Sequence, residues 1–503
     1  MSNAVSRLVQ RSVELREGES AALVWSFTYY FCLLCAYYIL RPIRDEMGIA
    51  GGVDNLAWLF TGTLVGMMLL HPVFTSLVKR LPRNRFVPLT YRFFIVNLLI
   101  FFVVFRLMPE NSVWIGRIFF IWVSVFNLFV ISVFWSFMTD IYRPAQSKRL
   151  FGMLAVGGTV GAITGSSITS ALVAALGPIN LLLISAVLLE VAARVSGALE
   201  KAEPQLAVAG LRDEMEGGDR DIIRSGAAPV RAANEPTAAQ ASDTASAVER
   251  KKQEVIGGGV WEGIGDVLRS PYLIGIAVLM LLFTITSTYL YFMQAEIIAG
   301  ASDDSSVRTQ VLANIDLIVN IITLVTQLFL TGRILRWFGV GAALAFLPVV
   351  SLLGFGIMTV APTLGVLIVF QILRRAGNYA IQRPAREVLY TVLPRSEKYK
   401  AKNFNDTFVY RVGDQVGAWS YTAMGWMGLG VSGLAMTMVP TSFVWLVLVL
   451  WLGRRYRAVV TSQAAAAAQK GAAADDATVG ATVSTSVDNP VDNTGTETRP
   501  SVS

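Results

Sequence analysis

Histidine is all but missing: His71 is the only one in 503 residues. Histidine-based metal sites and Ser-His-Asp triads therefore have no parts. Cysteine is nearly as scarce, with Cys32 and Cys35 alone, which excludes a disulfide-stapled secreted domain. Charge is short as well. Asp, Glu, Lys and Arg make up 15% of the chain, against about 25% in soluble proteins. Hydrophobic residues reach 54% and the mean hydropathy is +0.55. A soluble enzyme and a disordered chain are both excluded by that balance. With no nucleophile–base pair, metal cluster or cofactor fingerprint, neither enzymatic activity nor a cofactor is expected.

What the chain does have is apolar runs long enough to cross a bilayer, which takes about 20 residues. Twelve are read, near 21–40, 57–77, 88–107, 114–139, 151–176, 179–196, 272–294, 309–331, 341–360, 363–389, 404–428 and 432–452. The fold class predicted is an all-α integral membrane protein. A polar leader, 1–20, precedes the first run without a small-residue cleavage site, so that run reads as an anchor and not a removed signal. Leu8, Val9 and Leu15 opposite Arg7 and Arg11 suit a short amphipathic helix on the membrane surface. Segments 21–196 and 271–457 read as two six-helix bundles. A mostly disordered linker, 197–270, joins them and a disordered tail, 458–503, follows, both polar and without apolar periodicity. Trp261–Arg269 reads as a short amphipathic helix before the seventh span.

The net charge of +7 flanks the apolar runs, so the bilayer and not a nucleic acid is the expected partner. One set of alternate loops holds twenty Lys and Arg, the opposite set five. Because positive charge stays cytoplasmic, both termini and the central loop are expected in the cytoplasm.

The halves echo each other. Basic loops follow spans two and eight, at Leu77–Arg85 and Gly332–Gly339. Pro144-Ala-Gln-Ser-Lys148 after span four matches Pro394-Arg-Ser-Glu-Lys398 after span ten. Span five carries Gly157, Gly161 and Gly165 on one helix face, and span eleven carries Gly413 and Gly417. No strand precedes the first run and no Lys-Ser/Thr closes it, so it reads as a packing face and not a phosphate loop. Two related six-helix halves joined by a long loop match the major-facilitator arrangement, in which solute binds between the halves near mid-membrane.

Cys32-x-x-Cys35 has a redox spacing but lies at apolar helix depth, where two small packing residues are expected. His71, where an apolar run meets a basic loop, reads as an interfacial side chain rather than a proton-coupling group. Charges at membrane depth are more telling, because burying them costs several kcal/mol. Span one ends Leu40-Arg41-Pro42-Ile43-Arg44-Asp45-Glu46, where Arg41 and Asp45 are placed to pair at i, i+4. With a helix starting near Thr363, Arg374 and Arg375 lie about 16 Å into span ten, near the bilayer centre, so at least one should face a hydrated cavity or an anion; the alternative is a short span ten that leaves both arginines cytoplasmic. Span eleven carries a polar stripe of Asp406, Tyr410, Arg411, Asp414 and Gln415, and span eight adds Asn314, Asp316 and Asn320. Either these groups form a structural polar network or they line a solute path. Arginine suits phosphate or carboxylate, since its planar fork binds bidentately.

At these residues the sequence resembles the ATP:ADP antiporter family, the nucleotide exchangers of plastids and of bacteria living inside host cells, itself distantly similar to the major facilitators. Arg383-Pro-Ala-Arg386-Glu387 through Tyr390, then Lys398-x-Lys400-x-Lys402 and Asp406, resemble its Pro-x-Lys-Glu, Lys-x-Lys-x-Lys and following Asp. Leu40-Arg41-x-x-Arg44-Asp45, Phe134-Trp135-x-Phe137 and Lys148-Arg149-Leu-Phe151-Gly152 are similar too. The resemblance leaves out the central linker and both ends. It departs at Asn378 and Asp414, where the family has lysines, and in Val123–Val133, which lacks the family's acidic residue.

The resemblance implies a monomeric secondary transporter of a bacterial inner membrane that exchanges ATP and ADP or carries another phosphorylated anion. It implies that Arg41, Arg44, Arg375, Asn378, Arg386, Lys398, Lys402, Asp406, Arg411 and Asp414 meet this small anionic solute. Two other readings stay open. One is a proton-driven carrier of a different solute working through Asp316, Asp406 or Asp414. The other is a scaffold or sensor acting through the linker and tail.

Overall fold

The computed structural model describes residues 19–80, 82–224, 269–394, 401–402 and 404–484. The leader, the rest of the linker including 261–268, Lys398 and the end of the tail lie outside them, as does the side chain of His71. Among the described residues the ordered elements are helices, since a bilayer leaves each span to satisfy its own backbone. They are α1 (Ser20–Ala50), α2 (Leu56–Arg80), α3 (Arg83–Leu107), α4 (Ser112–Ile141), α5 (Pro144–Leu176) and α6 (Leu181–Arg224) in the first half. The second half holds α7 (Pro271–Ala301), α8 (Ser305–Phe329), α9 (Thr331–Val360), α10, α11 and α12 (Val431–Ser484). In α10, the segments Leu364–Gly377 and Arg383–Leu389 flank a π-turn, Asn378–Gln382; α11 opens on a second π-turn, Asn405–Val409, and continues as Tyr410–Trp426. Among the described residues eleven helices are long and apolar enough to cross a membrane. The exception is α11, the helix with the polar stripe.

Local sequence sets the boundaries. Ser270, Asp304 and Thr363 cap α7, α8 and α10 by accepting from Leu273, Ser306 and Val366 backbone N–H groups. Pro144 and Pro271 occupy first-turn positions, where no backbone donor is lost. Gly339, at φ 74°, breaks α9. Its left-handed φ, which a side chain would resist, divides the basic stretch Gly332–Phe338 from the apolar helix beyond.

Two boundaries differ from the sequence reading. Helix α6 runs on to Arg224 and α12 to Ser484, where linker and tail disorder were expected from 197 and from 458. The α12 extension is rich in alanine, the strongest helix former, and each extension grows from a helix already nucleated in the membrane. The first part of the α6 extension also packs: Leu206 is fully buried, and its carbonyl accepts from Gln146.

The helix ends define two faces. One, here the terminal face, holds the start of α1 and the α2–α3, α4–α5 and α10–α11 connections. The other, the distal face, holds the α1–α2, α7–α8 and α11–α12 connections. One apolar core lies wholly in the first half and another wholly in the second. A third joins Ile49, Leu56 and Phe120 of the first half to Tyr289, Met293 and Tyr421 of the second. Large apolar side chains such as Leu99, Ile100 and Val103 on α3 and Leu353 and Ile357 on α9 are exposed, as lipid-facing positions must be.

The glycine faces do what their spacing predicts. A Cβ at Gly157, Gly161 or Gly165 of α5 would meet the carbonyl oxygen of Phe27, Phe31 or Cys35 on α1. One at Gly413 or Gly417 of α11 would meet Thr284 or Thr288 on α7. The same close pairing thus recurs in both halves. Across the halves, α5 packs on α8 and α11 on α2, the reciprocal exchange that two related bundles give. Cys32 and Cys35 are buried, unpaired packing residues.

Candidate functional site

A cavity of about 350 Å³ lies between the halves, within the range of roughly 300–1,000 Å³ typical of small-molecule sites. Helices α1, α2 and α4 line it from one side and α7, α10 and α11 from the other. Its α10 residues lie about 16 Å from the start of that helix, half the bilayer's hydrocarbon thickness.

Five arginines line the cavity: Arg41, Arg44, Arg374, Arg375 and Arg411. Only two carboxylates do, Asp45 and Asp414, and a third, Asp316, stands just behind. Arg44 donates from Nε to Asp45 Oδ1 at 2.9 Å, and the Tyr291 hydroxyl donates to the same oxygen at 2.9 Å. Arg411 donates to Asp414 at 3.3 Å, the pair expected at i, i+3. Arg41 differs from expectation. Its guanidinium reaches away from Asp45 to Asp316 Oδ1 on α8, 3.1 Å off. Arg375 Nη2 lies 2.6 Å from that same oxygen, off the line of a hydrogen bond. One buried carboxylate oxygen therefore serves two arginines from opposite halves, and Asp45 is left free to take Arg44 because that is the nearer guanidinium.

Arg374 is the most unusual. Only 4% exposed, it donates to the hydroxyls of Ser351, Ser287 and Thr286 and to the Phe283 carbonyl at 2.7–3.2 Å. Among the described residues no carboxylate pairs with it. These neutral acceptors fix the guanidinium plane without cancelling its charge.

Polar contacts tie the halves together from the cavity to the distal face. Arg308 of α8 makes a two-bond fork to Glu46 of α1 at 2.7 and 2.8 Å, with Glu46 fully buried. Ser170 pairs with Asn314, and Thr61 with both Gln415 and Trp419. Trp58 and Trp419 meet edge to face at 4.8 Å beside them.

Of the residues singled out from sequence, the structure gathers Arg41, Arg44, Arg375, Asn378, Arg411 and Asp414 around this cavity. It places Arg386, Lys402 and Asp406 elsewhere, toward the terminal face. There Arg386 sits 3.6 Å from Asp406 and Lys402 2.6 Å from Glu387. The reason is geometric: the π-turn Asn378–Gln382 and the helix beyond carry Arg386 two turns past the cavity. Lys398 lies outside the described residues. Arg374 and Asp316, which the sequence singles out by their depth but does not number among the solute-binding residues, join the cluster: the first lines the cavity and the second stands behind it. The neutral wall of Phe60, Thr63, Ser124 and Asn127 on α2 and α4 gave no sequence signal, since such residues are ordinary in apolar helices.

Residues 22–397 match the family model of the Major Facilitator Superfamily. The chain belongs to that superfamily. It is therefore a secondary transporter of the major-facilitator type, built as two six-helix halves around a central cavity. Solved structures agree on the fold. An auto-inhibited POT family peptide transporter superposes with a TM-score of 0.54 at 15% identity, covering 87% of this chain and 96% of that one. A POT family transporter in complex with 5-aminolevulinic acid gives 0.53 at 10% identity, over 86% and 96%. The peptide transporter POT in complex with sulfate gives 0.52 at 12%, over 87% and 94%. At such identities the likeness is one of fold. No curated protein sequence matches the chain. The ATP:ADP antiporter resemblance is thus reduced to the wider superfamily.

Proposed function

We propose that this major facilitator carries a phosphorylated organic anion, of the nucleotide class, by alternating access of its two halves. The supporting observation is the surplus of positive charge: five cavity arginines against three carboxylates, with Arg374 held by neutral acceptors alone. Guanidinium charge at membrane depth is costly, and an anion seated there offsets the cost. The arginine fork suits phosphate oxygens, while Phe60, Phe120, Tyr291, Tyr379 and Tyr410 offer ring faces to an organic body. The same surplus favours exchange over one-way transport, because the halves rock more easily when an occupant neutralises the cavity. With both termini cytoplasmic, as the basic loops predict, the carrier works in a bacterial inner membrane.

The test is counter-exchange of labelled nucleotides and phosphate esters in reconstituted vesicles. Arg374→Ala and Arg375→Ala should each cut uptake at least about tenfold, the loss expected when a charge-assisted bond goes. Parental rates in both variants would refute the assignment. A proton-driven carrier is the second reading, favoured by Asp414, a titratable group on the cavity wall. It requires uptake driven by a pH gradient without counter-substrate and lost in Asp414→Asn.

A further inference from the structure

The cavity is divided by chemistry. All of its charged lining residues come from α1, α10 and α11, whereas α2, α4 and α7 contribute only neutral ones. Within the neutral part, most polar groups are engaged. Ser124 donates to the Phe120 carbonyl, Ser287 accepts from Arg374 and Tyr291 donates to Asp45. Two are not. The Thr63 hydroxyl on α2 and the Asn127 carbonyl oxygen on α4 are buried without a hydrogen-bond partner.

Thr63 is the sharper case, since it is only 8% exposed. A helical threonine usually bonds the carbonyl one turn back, as Thr61 does to Ala57 and Thr90 to Phe86. Thr63 forgoes that bond beside the cavity. A buried polar atom without a partner is destabilising unless something else satisfies it. Both side chains line the cavity, so an occupant there can supply the missing partner.

We infer that the passenger carries its negative charge at one end and a neutral hydrogen-bond donor, a hydroxyl or amide N–H, at the other, read by Thr63 and Asn127. This deepens the anion reading and rests on it. The donor follows from the acceptors: the Asn127 carbonyl oxygen only accepts, and the Thr63 hydroxyl does either. A cationic end is disfavoured, because Asp45 and Asp414, the only carboxylates on the wall among the described residues, already hold Arg44 and Arg411. Around Thr63 and Asn127 the wall is Phe60, Leu64 and Met67, so an ammonium there would find neutral acceptors and a ring face but no counter-charge to offset its desolvation. The class selected is the hydroxylated or amide-bearing phosphate ester, and zwitterions are rejected.

Binding of four probes to the purified carrier tests this: inorganic phosphate, glycerol phosphate, propyl phosphate and phosphoethanolamine. They share the anion and differ in having no tail, a hydroxylated tail, an apolar tail and a cationic tail. Glycerol phosphate should bind about tenfold tighter than propyl phosphate, a factor that one or two neutral hydrogen bonds supply. Phosphoethanolamine should bind no better than inorganic phosphate. The double variant Thr63→Val with Asn127→Leu should erase the glycerol phosphate advantage while phosphate binding, which reports an intact fold, stays unchanged. Thr63→Ser should keep most of the advantage. Equal binding of the hydroxylated and cationic tails, or an unaltered ranking in the double variant, overturns the inference and leaves the anion reading standing. If no probe binds and Arg374→Ala matches the parent, both fall together.

Discussion

At the scale of single residues, the site turns on one carboxylate shared by two cations. Asp316 Oδ1 stands 3.1 Å from Arg41 and 2.6 Å from Arg375, occupying the guanidinium faces that an anionic solute would take. It acts as an internal competitor. Asp316→Asn removes that competition, so phosphate binding should tighten several-fold, while the solute-free protein should melt at a lower temperature. The loss of stability follows because two buried cations are left without their counter-charge, a situation that typically costs about 3–5 kcal/mol. Titration of phosphate and a melting scan in detergent measure both effects. Weaker phosphate binding in the variant would show that Asp316 positions the arginines instead of competing for them. The arginines at this scale were legible in the sequence because a charge inside an apolar run is conspicuous. Their partners were not. Arg41 and Asp45 have the spacing of a helical pair, yet Arg41 is drawn to α8, a choice made by a helix 275 positions further along.

At the scale of elements, the glycine faces explain how the cavity walls are held. Gly161 lets α5 approach until its Cα faces the Phe31 carbonyl of α1, and backbone cannot step aside as a side chain can. Gly161→Ala should therefore push α5 off α1 and cost about 1–3 kcal/mol, the range for overpacked interiors. Gly356→Ala on α9, where a Cβ meets nothing, should hold or raise the melting temperature, since alanine is the better helix former. Equal melting temperatures for the two variants would mean that α5 and α1 are not held by this contact. The four-residue spacing announced this face from sequence. The two π-turns had no such announcement. Asn378–Gln382 and Asn405–Val409 each begin or end next to cavity residues, Asn378 and Tyr410, and each inserts backbone that re-aims the residues beyond it. A sequence read at 3.6 residues per turn carries its register straight through them. Arg386 and Lys402 lie on the far side of these turns from the cavity and Asp406 lies within one; the resemblance that assigns them to the solute rests on motifs, which carry no distance to the cavity.

At the scale of the whole molecule, the two halves meet through the clasp of Arg308 on Glu46, backed by Ser170–Asn314 and by Thr61 with Gln415 and Trp419. Moving solute to the distal side requires these contacts to part. Glu46→Gln weakens the strongest of them, because it leaves Arg308 facing a neutral amide. Spin labels at Asp54→Cys and Asp303→Cys, exposed positions on the distal turns of opposite halves, in a background lacking Cys32 and Cys35, should then show a larger share of long distances. The exchanged pair Glu46→Arg with Arg308→Glu should restore the short ones. An unchanged distance distribution in Glu46→Gln would mean that the clasp does not hold the halves closed.

Hydrophobic run length, basic-loop spacing and the glycine faces fixed the number of spans, the division into related halves and the presence of charge at membrane depth. These properties are local: each depends on a stretch of chain meeting oil or water, and so each is written in consecutive residues. Which arginine finds which carboxylate, where the cavity closes, and that Thr63 and Asn127 are left without partners were decided only when the helices packed. Those outcomes depend on distances between segments far apart in the chain, and side-chain pairing in a low-dielectric interior is settled by which groups arrive within about 3 Å of each other.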